Sequence, residues 1–192
     1  MPTNSMITHS MTTNSMTTTI AHPVLGFAVI ATPVGALVVV ARDGVVVTSC
    51  FGTLDDARRM LPPALADAEL VEGEGTGDIV AAVQAWAGGR LDALDTVVVE
   101  QPGGPFLQEA WRVMRQIPPG QTWSYAELAT KAGRPAAVRA AGQACAVNRV
   151  APFVPCHRVV RSDGSLGGYA YGLPVKRALL DLEAEAGEQQ LF

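Results

Sequence analysis

Cysteine is scarce in this chain: Cys50, Cys145 and Cys156 are the only three in 192 residues. Three widely spaced thiols cannot build a disulfide scaffold, and an odd count fits a reducing, cytoplasmic setting. Histidine is equally rare (His9, His22, His157), and none stands at the spacing from a cysteine that a zinc site needs, so no metal is expected. Charged residues make up only 17%, which argues against a disordered chain or a long solvated helix. No apolar run is long enough to cross a membrane, since the most apolar stretch, Phe27 to Ala41, is broken by Pro33 and Gly35. No Lys or Arg precedes Arg42, so the positive region of a secretory signal is missing.

What is present is apolar. Hydrophobic residues make up 48% and mean hydropathy is +0.22, ample for the core of one good-sized domain or two small ones. Residues 1–20 depart from this. Met1, Met6, Met11 and Met16 recur in a Thr/Asn/Ser-rich tract that reads as a disordered tail, or in part as alternative starts. Residues 21–101 read as a small α/β domain. Ala36–Ala41 and Val45–Cys50 are β-branched runs joined at Asp43-Gly44, a hairpin signal. Helices are predicted over Leu54–Leu65 and Ile79–Trp86, the second ended by Gly88-Gly89, with a further strand at Thr96–Glu100. Gln101-Pro102-Gly103-Gly104-Pro105 reads as a linker centred on 102–105.

Residues 106–192 read as mostly helical. Phe106 to Ile117 places Phe106, Ala110, Val113, Met114 and Ile117 on one face and stops at Pro118. Ser124-Tyr125-Ala126-Glu127 is a capping box opening a short helix that ends near Gly133. Pro135 is expected at the first position of a third helix running to Val147, and the pair has the spacing of a helix-turn-helix. That third helix is nearly bare, with seven Ala or Gly between 136 and 146. Val138, Ala141 and Cys145 are expected toward the core, Arg139 and Gln143 away from it. A surface this smooth serves a tight helix–helix seam, the commoner use, or close approach to a DNA backbone.

The net charge of -4 argues against a nucleic-acid binder only as an average. Residues 1–104 carry four basic and eleven acidic side chains, whereas residues 105–177 carry ten basic and three acidic. Such a basic segment fits phosphate contact or a solvated face equally well on charge alone.

Val154-Pro155-Cys156-His157-Arg158 carries the chemistry. A thiol reacts as thiolate, and neighbouring His and Arg lower its pKa. In extended backbone the Cys156 and His157 side chains point to opposite faces, so a bridging water or a bent backbone is needed to couple them. A bare Cys-His pair is weak evidence; a structural cysteine beside a surface histidine is commoner.

The surrounding motifs alter that balance. Pro155-Cys156-His157-Arg158-Val159 is joined by Ser124-Tyr125, by Arg139 in Val-Arg-Ala-Ala-Gly, and by Asn148 eight residues before the cysteine. Gly168-Tyr169 and Lys176-Arg177-Ala178-Leu179-Leu180 follow it, leading to Glu183. Over about 106–183 this order and spacing resembles the O6-alkylguanine-DNA alkyltransferases, direct-reversal DNA repair proteins. The resemblance implies a ribonuclease H-like N-terminal domain and a C-terminal domain with a helix-turn-helix. It implies that O6-alkylguanine, and O4-alkylthymine, is flipped out of double-stranded DNA and dealkylated once per molecule by a monomer that needs no cofactor.

By this likeness Cys156 is the acceptor, His157 takes its proton through a water, and Glu183 orients the histidine. Asn148 braces the turn near the cysteine. Arg139 fills the gap left by the flipped base, and Tyr125, after Ser124, contacts the base. Backbone at Cys156 and Val159 reads the guanine amino group, Cys145, Tyr169 and Ala170 wall the pocket, and Arg158 joins the DNA-contacting set. Tyr171, where many relatives keep glycine, is expected to narrow the pocket mouth. The presence of Cys156 disfavours a lesion sensor that lacks the acceptor thiol. A thiol hydrolase leaves the bare Arg139 helix without a use, and a methylation-sensing activator requires a cysteine-rich domain that is missing.

Overall fold

The computed structural model describes residues 22–189, with side chains to Ala186; the tail expected over 1–20 lies outside the described residues. Strands β1 (Val24–Thr32), β2 (Gly35–Arg42) and β3 (Val45–Phe51) form an antiparallel meander. The β2–β3 turn is the predicted one: Asp43 and Gly44 both have positive φ, 51° and 77°, the conformation that matches a two-residue turn to strand twist. Helix α1 (Leu54–Met60) starts at a capping box between Thr53 and Asp56. It stops five residues short of the predicted end. Leu61 precedes Pro62, whose ring pushes it out of the helical region to ψ 143°, and Pro63–Leu65 makes a separate 3-10 turn.

Strand β4 (Glu69–Glu72) pairs in parallel with β1 and gives the sheet order β3-β2-β1-β4. It was not anticipated, being four residues long with a glutamate at each end. Helix α2 (Gly77–Ala87) ends at Gly88 as predicted. The strand predicted at Thr96–Glu100 is absent: Ala93–Thr96 is a 3-10 turn and only Val99 bridges Val46. Within the span Arg115 Nη2 takes the Val97 carbonyl at 3.0 Å, as it takes those of Leu94 and Asp95 just before it at 3.4 and 2.9 Å, and the ladder bonds that form join Val46 to Val98 and Glu100.

The remainder is mostly helical: α3 (Pro105–Met114), a two-residue strand β5 (Trp123–Ser124), α4 (Tyr125–Lys131), α5 (Val138–Ala146), a two-residue strand β6 (Val159–Val160) parallel to β5, and α6 (Leu173–Gln189). Ser124 caps α4 with both bonds of the predicted box. Helix α5 starts three residues after Pro135, which sits in a turn closed by the Ala137 N–H on the Arg134 carbonyl. Val138, expected inside, is therefore 40% exposed at the first turn, while Ala141 and Ala144 are buried. Along β2 the side chains alternate between two apolar clusters. Val38 and Val40 pack with Leu25, Ala57 and Leu61; Leu37 and Val39 face Trp86 in a core that continues to Met114, Leu128, Ala144 and Leu179. That second core joins the sheet to the helical part. No helix among the described residues is long and apolar enough to cross a membrane.

Candidate active site

The cysteine loop is held from behind by the sheet edge. Ser49 on β3 donates its N–H to the Arg149 carbonyl and its hydroxyl to the Ala151 carbonyl, both at 2.7 Å. Cys156–Arg158 then forms a 3-10 turn, closed by the Arg158 N–H on the Pro155 carbonyl, in place of extended backbone. Bending the chain there removes the strict opposition of the Cys156 and His157 side chains.

Cys156, Tyr125, Cys145, Tyr169 and Ala170 surround one cavity of about 340 Å³, within the size range of small-molecule sites. Five of the predicted residues therefore converge. Gly168 of the Gly168-Tyr169 motif and Gly142 of Val-Arg-Ala-Ala-Gly complete the lining together with Ala146, which had no assigned role. Gly167 has a role too: at φ 67° a Cβ there would stand 2.8 Å from the Tyr125 hydroxyl, so only glycine admits this tyrosine. A larger cleft, about 580 Å³, lies between residues 99–103 and α3 and is lined by no thiol or histidine.

Burial pushes the Cys156 thiol above its usual pKa, opposed by an Asn148 hydrogen bond and by Lys176. Asn148 Nδ2 donates to the Val154 carbonyl at 2.8 Å and to Cys156 Sγ at 3.2 Å. On the other side of the turn, burial drives Glu183 upward, but His157 and Arg158 overcome it and hold the carboxyl at about 2. The ionised carboxylate is fully occupied. Its Oε1 accepts from Arg158 Nη2 and His157 Nε2, both at 2.8 Å, and Oε2 from Arg158 Nε at 3.0 Å and the Gly120 N–H at 3.2 Å. An ionised acceptor requires Nε2 to carry the proton, leaving Nδ1 with its lone pair free. Nδ1 is buried and has no hydrogen-bond partner among the described residues. Burial lowers the His157 pKa, against the pull of Glu183.

Arg158 is corrected by these contacts. It is 5% exposed, and its remaining nitrogen donates to the Ile117 carbonyl at 2.6 Å, so it holds Glu183 and has no access to DNA. Lys176, counted among surface cations, is wholly buried and donates from Nζ to the Val159 carbonyl at 2.6 Å and to the Leu166 carbonyl. Val159 itself is buried outside the cavity lining. Tyr171 stands outside the cavity lining: its hydroxyl donates to the Ser49 carbonyl at 3.2 Å and its ring meets Phe51 and Tyr169 edge-on. Ser124 is committed to Glu127, and Arg139 stands exposed on α5. Among the described residues no group of three His, Cys, Asp or Glu side chains is placed to hold a metal ion.

The family of the 6-O-methylguanine DNA methyltransferase DNA-binding domain matches residues 105–185. The crystal structure of Mycobacterium tuberculosis O6-methylguanine methyltransferase superposes on 84% of this chain and 94% of its own, with a TM-score of 0.70 and 32% identity. The chain belongs to the O6-methylguanine-DNA methyltransferase family. The M. tuberculosis OGT has also been solved in complex with DNA, and that structure has the same coverage, identity and TM-score. Other members resemble parts of the chain. The bifunctional transcriptional activator/DNA repair enzyme Ada of Escherichia coli is 39% identical over 137 residues, 71% of this chain and 37% of Ada. The inducible methylated-DNA--protein-cysteine methyltransferase of Bacillus subtilis is 47% identical over 94 residues, 49% of this chain and 52% of that protein. The chain thus spans between about a third and a half of the curated family members it matches here.

Proposed function

We propose that this family member repairs DNA by direct reversal, moving an alkyl group from O6 of a flipped guanine to Cys156 Sγ. The observation that carries the reading is the buried Nδ1 of His157, left unbonded among the described residues by a ring that Glu183 orients, on the same turn as a thiol that lines a cavity of about 340 Å³.

The steps balance without a cofactor. Sγ forms a bond to the alkyl carbon as the carbon–O6 bond breaks, and the electron pair leaves on the guanine. The thiol proton passes through a water to His157 Nδ1 and is returned to the departing base. Glu183 stabilises the transient imidazolium as the third member of a triad does. At rest burial raises the thiol pKa and favours the protonated form, so thiolate forms more readily once a substrate is in place. The product is a thioether, which nothing in the cavity is built to cleave, and each molecule reacts once.

Duplex DNA is the partner, since the target oxygen is buried in the base stack. In this reading α4, the turn and α5 serve as a helix-turn-helix. Arg139 fills the space of the flipped base, and Tyr125, Ser124, Cys145, Tyr169, Ala170 and the backbone of Cys156 and Val159 receive it. Asn148 braces the cysteine turn. Residues 21–101 act as a ribonuclease H-like scaffold joined through 102–105 to the reacting domain. The protein works as a cytoplasmic monomer, and O4-alkylthymine is a second substrate.

The test is stoichiometry. Duplex DNA carrying one labelled O6-methylguanine should transfer one label per protein and none to Cys156→Ala. Turnover beyond one equivalent, or no transfer, rejects the reading.

A further inference from the structure

Gln101 lies in the segment expected to be a solvent-facing linker, yet it is 5% exposed and both ends of its side chain are bonded. Its Oε1 accepts from the Arg149 N–H at 2.9 Å, and its Nε2 donates to Asn148 Oδ1 at 3.1 Å. Its own carbonyl accepts from Gln108 Nε2 at 2.7 Å. Asn148 Oδ1 also accepts from the Val150 N–H at 3.2 Å, while Nδ2 donates to the Val154 carbonyl and to Cys156 Sγ.

These bonds form a directional series. A main-chain N–H only donates, so Arg149 fixes which end of the Gln101 amide is oxygen. Gln101 Nε2 and the Val150 N–H together then require oxygen at that end of Asn148. Turning the Asn148 amide over would set its NH₂ against two donors, and its oxygen against the Val154 carbonyl and the sulfur. The N–H facing Sγ is therefore held jointly by the Val150 N–H, the Val154 carbonyl and Gln101, the last from the segment that links the sheet to α3, 47 positions before Asn148.

We propose that Gln101 is a positioning residue for Cys156, acting through Asn148 to keep an N–H donor on the sulfur as negative charge develops there. Its relevance to repair rests on the alkyl-acceptor reading; its effect on the thiol does not. The titratable groups around Cys156 are Lys176 from α6, Tyr125 from α4, Cys145 from α5, and Tyr169 and Tyr171 from the loop before α6, with His157, the next residue, paired to Glu183. None bonds Gln101, so their titrations are common to all variants compared.

The experiment is the pH dependence of iodoacetamide alkylation at Cys156 in the full chain, read by peptide mass spectrometry so that Cys50 and Cys145 are counted separately. Gln101→Met should move the midpoint upward by about half a unit or more, the direction expected when a donor to the charged form is lost, and slow alkylation several-fold at pH 7.5. In an Asn148→Ala background Gln101→Met should add nothing. A folded Gln101→Met with an unchanged profile overturns the proposal, as does an equal shift in the Asn148→Ala background. If Gln101→Met does not fold, Gln101→Ala is judged by the same two criteria, and if neither folds, an unshifted profile in Asn148→Ala alone overturns it. A shifted profile in a protein that accepts no methyl from DNA upholds this proposal while rejecting the repair function.

Discussion

The sheet-bearing half and the helical half use charge in opposite ways. Before residue 105 the charged side chains are mostly acidic and solvated, and the pairs they form, such as Arg42–Glu100 and Arg59–Asp56, lie at the surface. Beyond it the ten cations up to Arg177 divide. Arg158 and Lys176 are buried, Arg112 is paired with Glu109, and Arg115 and Arg149 hold carbonyls. Lys131, Arg134, Arg139, Arg161 and Arg177 remain exposed. A surplus of basic residues is thus a poor measure of the surface offered to a phosphate backbone, because part of it is spent organising the site. The halves differ again in what they bring to Cys156: the helical half supplies every lining group, and the sheet supplies Ser49 behind the loop.

The largest effect should come from breaking the buried charge set. Glu183→Gln leaves Arg158 without its anion, which typically costs about 3–5 kcal/mol when one partner of a buried pair is removed, and it deprives His157 of its orienting acceptor. Thermal unfolding and single-turnover transfer should both show it, the latter by at least about a hundredfold. Retention of near-normal rate in Glu183→Gln would remove the histidine from the mechanism.

Asn148→Ala comes next. It strips the donor from Sγ and leaves the Val150 N–H and Gln101 Nε2 without their acceptor, a loss of about 1–3 kcal/mol in stability for a buried unsatisfied group. Transfer should slow in parallel with an upward shift in the pH at which Cys156 reacts.

Acid stability should divide the two halves by pH. His157 has a folded pKa below 6.5, so the unfolded chain takes up that proton first and stability declines as pH falls below 6.5. Glu183, held at about 2 against 4.5 unfolded, adds stability that is complete above 4.5 and is lost as pH drops toward 2. Unfolding temperature followed from pH 7 to 3 should fall in the wild type, with the lower part of the slope flattened in Glu183→Gln. In the sheet half Asp56, held at about 2 by its bonds to Thr53 and Arg59, titrates over the same range, but it lies at the surface, where solvent screening weakens its contribution.

Much of this was legible in the sequence, for reasons that differ by residue. The β2–β3 turn and the α4 cap follow from local chemistry that Asp43-Gly44 and Ser124–Glu127 carry in themselves. The convergence of Tyr125, Cys145, Cys156, Tyr169 and Ala170 followed from the order of motifs. What escaped depends on contacts distant in the chain. Arg158 and Lys176 look like surface cations until Glu183 and two carbonyls are brought to them. Thr96–Glu100 has strand composition, but Arg115 claims its neighbouring carbonyls. Gln101 reads as linker, and only folding brings it to Asn148.

The smaller effects sharpen the contrast. Ser49→Ala removes one buried bond to the Ala151 carbonyl, worth about 1 kcal/mol, and should slow transfer a few-fold although it lies outside the cavity. An unchanged rate would confine the sheet to scaffolding. Arg139→Ala should alter stability by no more than about 0.5 kcal/mol, as expected for an exposed side chain, yet weaken repair of duplex while sparing reaction with free O6-methylguanine. Equal loss on both substrates would count against its role in the duplex.

The most direct measurement of the central claim is site-resolved. After incubation with duplex containing O6-methylguanine, and separately with unmodified duplex, the protein is digested and every cysteine peptide weighed. One added methyl is expected, on Cys156 alone and only with the modified duplex. A methyl on Cys145 or Cys50, or an unmodified Cys156 beside repaired DNA, would contradict it.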